Sequence, residues 1–126
     1  MSLAATANMA DVKAAALSKA TIRAAQKLGL RNRVLASVIG LSEATISRMS
    51  KDDFVLSHDS KSFELSAIFV RLFRGLDAIV GGDETVAKAW LANPNTALGD
   101  APVNLIQSVT GLVNVVQYLD SRRARI

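Results

Sequence analysis

Residues 35–49 read LASVIGLSEATISRM, and how this segment divides decides the fold. Asn32 opens a short helix that runs to Ile39, Gly40 breaks it, and Ser42 starts a second helix ending near Ser50. Two helices that cross at a fixed angle need a small residue where they meet, and Ala36 supplies it. They also need a turn glycine, a helix-capping residue and an inward apolar side chain, found at Gly40, Ser42 and Ile46. Leu35, Val38, Leu41 and Met49 provide the packing, so the segment predicts a helix-turn-helix.

Outward from this segment the pattern stays helical. DVKAAALSKATIRAAQKL, residues 11–28, predicts one Ala-rich helix or two short ones, with an apolar stripe of Val12, Ala15, Ala16, Ile22, Ala25 and Leu28 and a stop at Gly29. Residues 51–59 form a loop whose Phe54 and Leu56 fold back onto the core. Asp59 or Ser60 then caps a long helix in which Leu65, Ile68, Phe69, Leu72, Phe73, Leu76, Ile79 and Val80 make one wide apolar face. Gly81 and Gly82 end it, and Asp83 caps a helix with Val86, Ala87, Trp90 and Leu91. Pro94 and Gly99 break the chain, and Asp100 is placed to cap a helix with Pro102 in its first turn. The last helices carry Leu105, Ile106, Val109, Leu112, Val116 and Leu119, after which SRRARI frays. The expected fold is all-α: helix-turn-helix region 1–59, linking helix 60–82 and a small helical domain 83–126.

Composition narrows the function. With 126 residues, 50% of them hydrophobic, the chain can bury a core. It has no Cys, which removes disulfides, thiolate metal sites and thiol catalysis, and favours an intracellular home. Asp11, Lys13 and Lys19 interrupt any signal-peptide run, and Arg71, Arg74 and Asp77 argue against a membrane span, so a cytoplasmic protein without membrane contact is expected. The one histidine, His58, sits in a polar loop with no nucleophile and orienting acid assignable around it. Asp52, Asp53 and Asp59 lack EF-hand spacing, and no phosphate-binding glycine loop is present, so neither an enzyme nor a cofactor is expected.

Charge divides the chain. Residues 1–51 hold eight Lys/Arg against two acids, residues 52–121 hold four against nine, and the last five residues add three Arg. A basic first half suits an anion such as nucleic acid, while the acidic stretch suits another partner; ordinary surface charge fits equally well. If the second helix of the motif buries Ile46 and Met49, it exposes Glu43, Ala44, Ser47 and Arg48 to a major groove. Arg48 would pair with guanine, Glu43 would accept from cytosine, and Ala44 would touch a thymine methyl. Asn32, Arg33, Ser42, Thr45 and Lys51 would hold phosphates. Such turns also occur as plain helical corners.

RVLASVIGLSEATISRM resembles the Xre/Cro type of helix-turn-helix. AWLANPNTALGDAPVNLI followed by TGLVNVVQYL resembles the C-terminal domain of the MbcA/ParS/Xre antitoxins, carried by Trp90, Leu91, Pro94, Asn95, Leu98, Gly99, Pro102, Leu105, Gly111, Val116 and Leu119. The resemblance spans roughly residues 20–120 in the family's order. It implies a type II antitoxin that pairs with a RES-domain toxin, an enzyme that consumes NAD or transfers ADP-ribose from it. The C-terminal domain would cover the toxin's active site, and the helix-turn-helix, as a homodimer, would bind operator DNA and repress the shared operon. Trp90, Pro94, Asn95 and Leu98 are the expected toxin contacts.

Where relatives often continue into a Gly-containing, apolar ending, this chain carries the basic SRRARI. Arg122, Arg123, Arg125 and Ile126 are expected to reach the toxin, with the arginines at its NAD entrance; a solvated tail is the alternative. The apolar face from Phe63 to Val80 looks larger than one chain can hide, which makes that helix the expected dimer surface. Two other functions stay open. The chain could be a stand-alone transcription regulator, or a protein-binding inhibitor whose helix-turn-helix no longer binds DNA.

Overall fold

A computed structural model describes residues 8–124, which form seven α-helices and no β-strand. They are α1 (Met9–Lys27), α2 (Asn32–Ile39), α3 (Glu43–Ser50), α4 (Lys61–Ile79), α5 (Glu84–Ala92), α6 (Pro102–Leu105) and α7 (Val109–Ala124). Five helices begin where a polar side chain can satisfy a free amide. Asn8, Ser42, Ser60, Asp83 and Ser108 accept from the N–H of Asp11, Thr45, Phe63, Val86 and Gly111. The start of α6 differs from expectation, because Ala101 is its capping residue and Pro102 follows. Asp100 lies one position too early to cap, and its Oδ1 accepts instead from Ala101 N (2.6 Å) and Asn104 Nδ2 (3.2 Å).

Helix α4 is the centre of the molecule, packed by α1, α2 and α7. Phe69 and Leu72 are fully buried and Leu76 nearly so, against Leu35 and Ile39 of α2 and Leu112, Val115 and Leu119 of α7 in one continuous core. The inward side of α4 is hidden within one chain, while Phe63, Leu65, Ile68, Phe73, Ile79 and Val80 on its apolar face stay half-buried. Removing those side chains from water is the main favourable term here, at about 1.5–3 kcal/mol for each large aliphatic or aromatic group.

The α1 stripe is displaced from the expected one. Val12, Ala15 and Ala16 face solvent, and the buried positions are Ala14, Ser18, Thr21, Ala24, Ala25 and Leu28. Two of these are polar, yet each has an acceptor in its own helix. Ser18 Oγ donates to Ala14 O (2.7 Å) and Thr21 Oγ1 donates to Leu17 O (2.8 Å). Ser18 Oγ also accepts from Leu56 N (2.9 Å), which fastens the loop after α3 onto α1 and places Leu56 in the core.

At the other end, Val109 is exposed, contrary to its expected place in the apolar run, because it lies in the first turn of α7. Gly111 takes the close position: a Cβ there would stand 1.9 Å from Leu105 O. Helix α7 continues to Ala124, so Ser121, Arg122 and Arg123 do not fray. Arg123 lies along α4, where a Cβ on Gly75 would come within 3.8 Å of its Cδ and Nη1. Arg71 of α4 pairs with Asp120 of α7, a second tie between the two helices. Arg125 and Ile126 lie outside the described residues.

Candidate nucleic-acid and partner interfaces

The α2–α3 corner is built by Ala36 and Gly40. Gly40 adopts a left-handed φ of 73°, which lets its N–H and that of Leu41 both donate to Ala36 O, at 2.9 and 3.1 Å. The chain then turns sharply enough for Ser42 to cap α3. Ile46 and Met49 are buried, so the opposite side of α3 faces outward, with Glu43, Ala44 and Arg48 exposed and Ser47 half-buried.

The polar side chains of this face form a chain along the helix. Ser42 Oγ accepts from Thr45 N (3.1 Å) and shares a hydrogen bond with Thr45 Oγ1 (2.9 Å). Arg48 Nη2 donates to Thr45 Oγ1 (3.1 Å), and its guanidinium stands 5.8 Å from the centroid of the Phe54 ring. The Arg48 guanidinium is thus steadied by two neighbours while remaining in solvent. Asn32 and Arg33 stand exposed at the start of α2, which has no side-chain cap and leaves its first amides free for an anion. Lys51 is exposed at the end of α3. Asp52 and Asp53 follow it, also exposed, and two carboxylates there oppose a phosphate; they formed no part of the expected DNA face.

The expected partner residues of the second half fall into two groups. Pro94, Asn95 and Leu98 lie in the loop between α5 and α6. Asn95 organises this loop from inside. Its Oδ1 accepts from Ala97 N (2.9 Å) and Leu98 N (3.1 Å), and its N–H donates to Asp100 O (3.2 Å). Leu98 packs half-buried against the core, and Pro94 is exposed.

Trp90 belongs with Arg122. The Trp90 ring stacks near-parallel on Tyr118, with centroids 6.3 Å apart, and Arg122 Nη1 donates to Tyr118 Oη at 3.1 Å. Neither Tyr118 nor Val86, which borders the same depression, was among the expected contacts. The four-residue spacing of Tyr118 and Arg122 on a helix was the available signal, hidden by ending the last helix too early.

Comparison with protein families assigns both halves. Residues 8–71, about half of the chain, match the antitoxin Xre-like helix-turn-helix domain, and residues 75–125 match the antitoxin Xre/MbcA/ParS C-terminal toxin-binding domain. The chain belongs to the Xre/MbcA/ParS antitoxin family. No curated protein matches it. In this Xre-type antitoxin the helix-turn-helix supplies the DNA-binding part and the second half binds a toxin. The two matched stretches meet within α4, whose Phe69 and Leu72 join the same core as Leu76 beyond the junction. Among the described residues no group of three or more His, Cys, Asp or Glu is placed to hold a metal ion. The family to which the chain belongs is one of antitoxins and regulators, not enzymes. No helix among the described residues is long and apolar enough to cross a membrane.

Proposed function

We propose that this antitoxin neutralises a RES-domain toxin, an enzyme that consumes NAD or transfers ADP-ribose from it, by covering the toxin's active site. As a homodimer it would also repress its own operon. The observation that carries the reading is the joining of an Xre-like helix-turn-helix and a toxin-binding domain in one chain. The division of labour is residues 1–59 for DNA, 60–82 as the link and 83–126 for the toxin.

On the DNA side, Glu43, Ala44, Ser47 and Arg48 address bases, while Asn32, Arg33, Ser42, Thr45 and Lys51 address phosphates. The outward side of α3 supports this assignment. The linking helix also supplies the dimer surface, and the half-buried Phe63, Leu65, Ile68 and Phe73 of α4 support this. On the toxin side act Trp90, Pro94, Asn95, Leu98 and Ile126, with Arg122, Arg123 and Arg125 reaching the NAD entrance. A second reading, an inhibitor that no longer binds DNA, is favoured by Glu43, Asp52 and Asp53, which bring negative charge to the face meant for the duplex.

Two measurements test the proposal. Co-expression with the product of the adjacent gene, purified through a tag on one partner, should yield a stable complex. Fluorescence anisotropy with the DNA upstream of the operon should show binding that weakens steeply with salt. A complex without DNA binding selects the second reading, and DNA binding without a complex rejects the antitoxin mechanism.

A further inference from the structure

From the groove between α4, α5 and α7 we infer the seat of the toxin: it receives one large apolar side chain of the toxin, flanked by a carboxylate that pairs with Arg122. Ile79 and Val80 at the end of α4, Val86 and Trp90 of α5, and Tyr118 and Arg122 of α7 line it. All these residues fall inside the stretch 75–125 matched to the toxin-binding domain, so the groove is continuous with a surface whose kind of partner is known. The inference rests on that domain's binding a toxin and specifies where and with what chemistry.

Three features fix the occupant. The groove has a volume of about 270 Å³, room for one large side chain of a partner protein. Its walls are mainly apolar, and Val86 stands at its mouth 48% exposed, an apolar group on the surface that no described residue covers. The stacked Trp90 and Tyr118 rings give a stiff platform that loses little freedom on binding, the type of side chain that dominates interface energetics.

Arg122 is the one charged group among the lining residues. Its hydrogen bond to Tyr118 Oη and its place 5.8 Å from the centroid of that ring hold it at the rim. From there its other N–H donors, which bond to no described residue, can take a carboxylate in a forked pair.

Three variants of the full chain test this against the co-expressed toxin by biolayer interferometry. Val86→Glu puts a charge where the toxin's apolar side chain would sit, and Arg122→Glu reverses the rim charge. Each is expected to weaken binding on the order of 30-fold, the level at which an interface residue counts as a hot spot. Val109→Glu is the control, since Val109 is 59% exposed in the same domain and does not line the groove. It should change affinity less than about 2-fold. All three positions are exposed, so folded variants are expected, with circular dichroism melts like that of the wild type.

Wild-type-like binding by Val86→Glu overturns the inference while leaving the toxin-binding reading in place. So does equal weakening by Val109→Glu. Loss of self-association with intact toxin binding assigns the groove to a second copy of the chain and also overturns it. Failure of the wild type to bind the toxin overturns the reading and the inference together.

Discussion

Gly111→Ala should destabilise the protein by about 1–3 kcal/mol, although alanine is the better helix former. The new Cβ would sit 1.9 Å from Leu105 O, 2.7 Å from Leu105 C and 2.9 Å from Ser108 Oγ. Two of these atoms are backbone and cannot swing aside, so the α6–α7 turn must open. Forced overpacking of this kind costs about 1–3 kcal/mol. Moving Ser108 also weakens its cap on Gly111 N, now 3.1 Å long, by about 1 kcal/mol. Against this, Ala gains about 1 kcal/mol over Gly within a helix, which leaves the net at about 1–3 kcal/mol. Urea titration followed by circular dichroism reads the loss directly, and the melting temperature should fall by roughly 4–12 °C. Gly75→Ala is the matched comparison. Its Cβ would meet Leu119 Cβ at 3.7 Å and Arg123 at 3.8 Å, ordinary contact distances, so it should stabilise by about 0.5–1 kcal/mol. Gly111→Ala as stable as the wild type would refute the close packing of α6 on α7, and equal losses in both variants would show that helical glycine, not contact, sets the sign.

The buried hydroxyls make a second pair. Ser18→Ala removes the acceptor of Leu56 N and should cost about 1–3 kcal/mol in a urea titration. Ser66 Oγ is buried without a hydrogen-bond partner among the described residues, so Ser66→Ala should leave stability unchanged or raise it by about 1 kcal/mol; a loss as large as that of Ser18→Ala would contradict this. Arg48→Ala should weaken operator binding by about 1–3 kcal/mol in anisotropy titrations and random DNA much less. An equal loss on both would make Arg48 a phosphate contact. Lys51→Ala should weaken both DNAs alike and lower the slope of log K against log salt by about 1.

Local signals made much of this fold readable in the sequence. Gly40, Ser42 and the spacing of Ile46 and Met49 mark the helix-turn-helix because turn and cap chemistry depends on residues only a few positions apart. The α1 stripe was harder to read, since Ser18 and Thr21 count as polar in any hydropathy pattern but are buried by bonding to their own helix. Residues joined only by tertiary packing carried no such signal. Trp90 and Tyr118 are distant in sequence, and Arg123 stays helical because it finds α4 at Gly75. The apolar face of α4 gave no sign of how much of it the chain itself covers; α1, α2 and α7 bury Phe69, Leu72 and Leu76 and leave Leu65, Ile68 and Phe73 half-buried.

Direct proof of the central claim lies in an NAD-consumption assay of the separated toxin titrated with this protein. The account predicts that the toxin alone consumes NAD, that the rate falls to background once the antitoxin reaches stoichiometric amounts, and that Val86→Glu needs far more protein for the same effect. Undiminished NAD consumption at saturating antitoxin would contradict it.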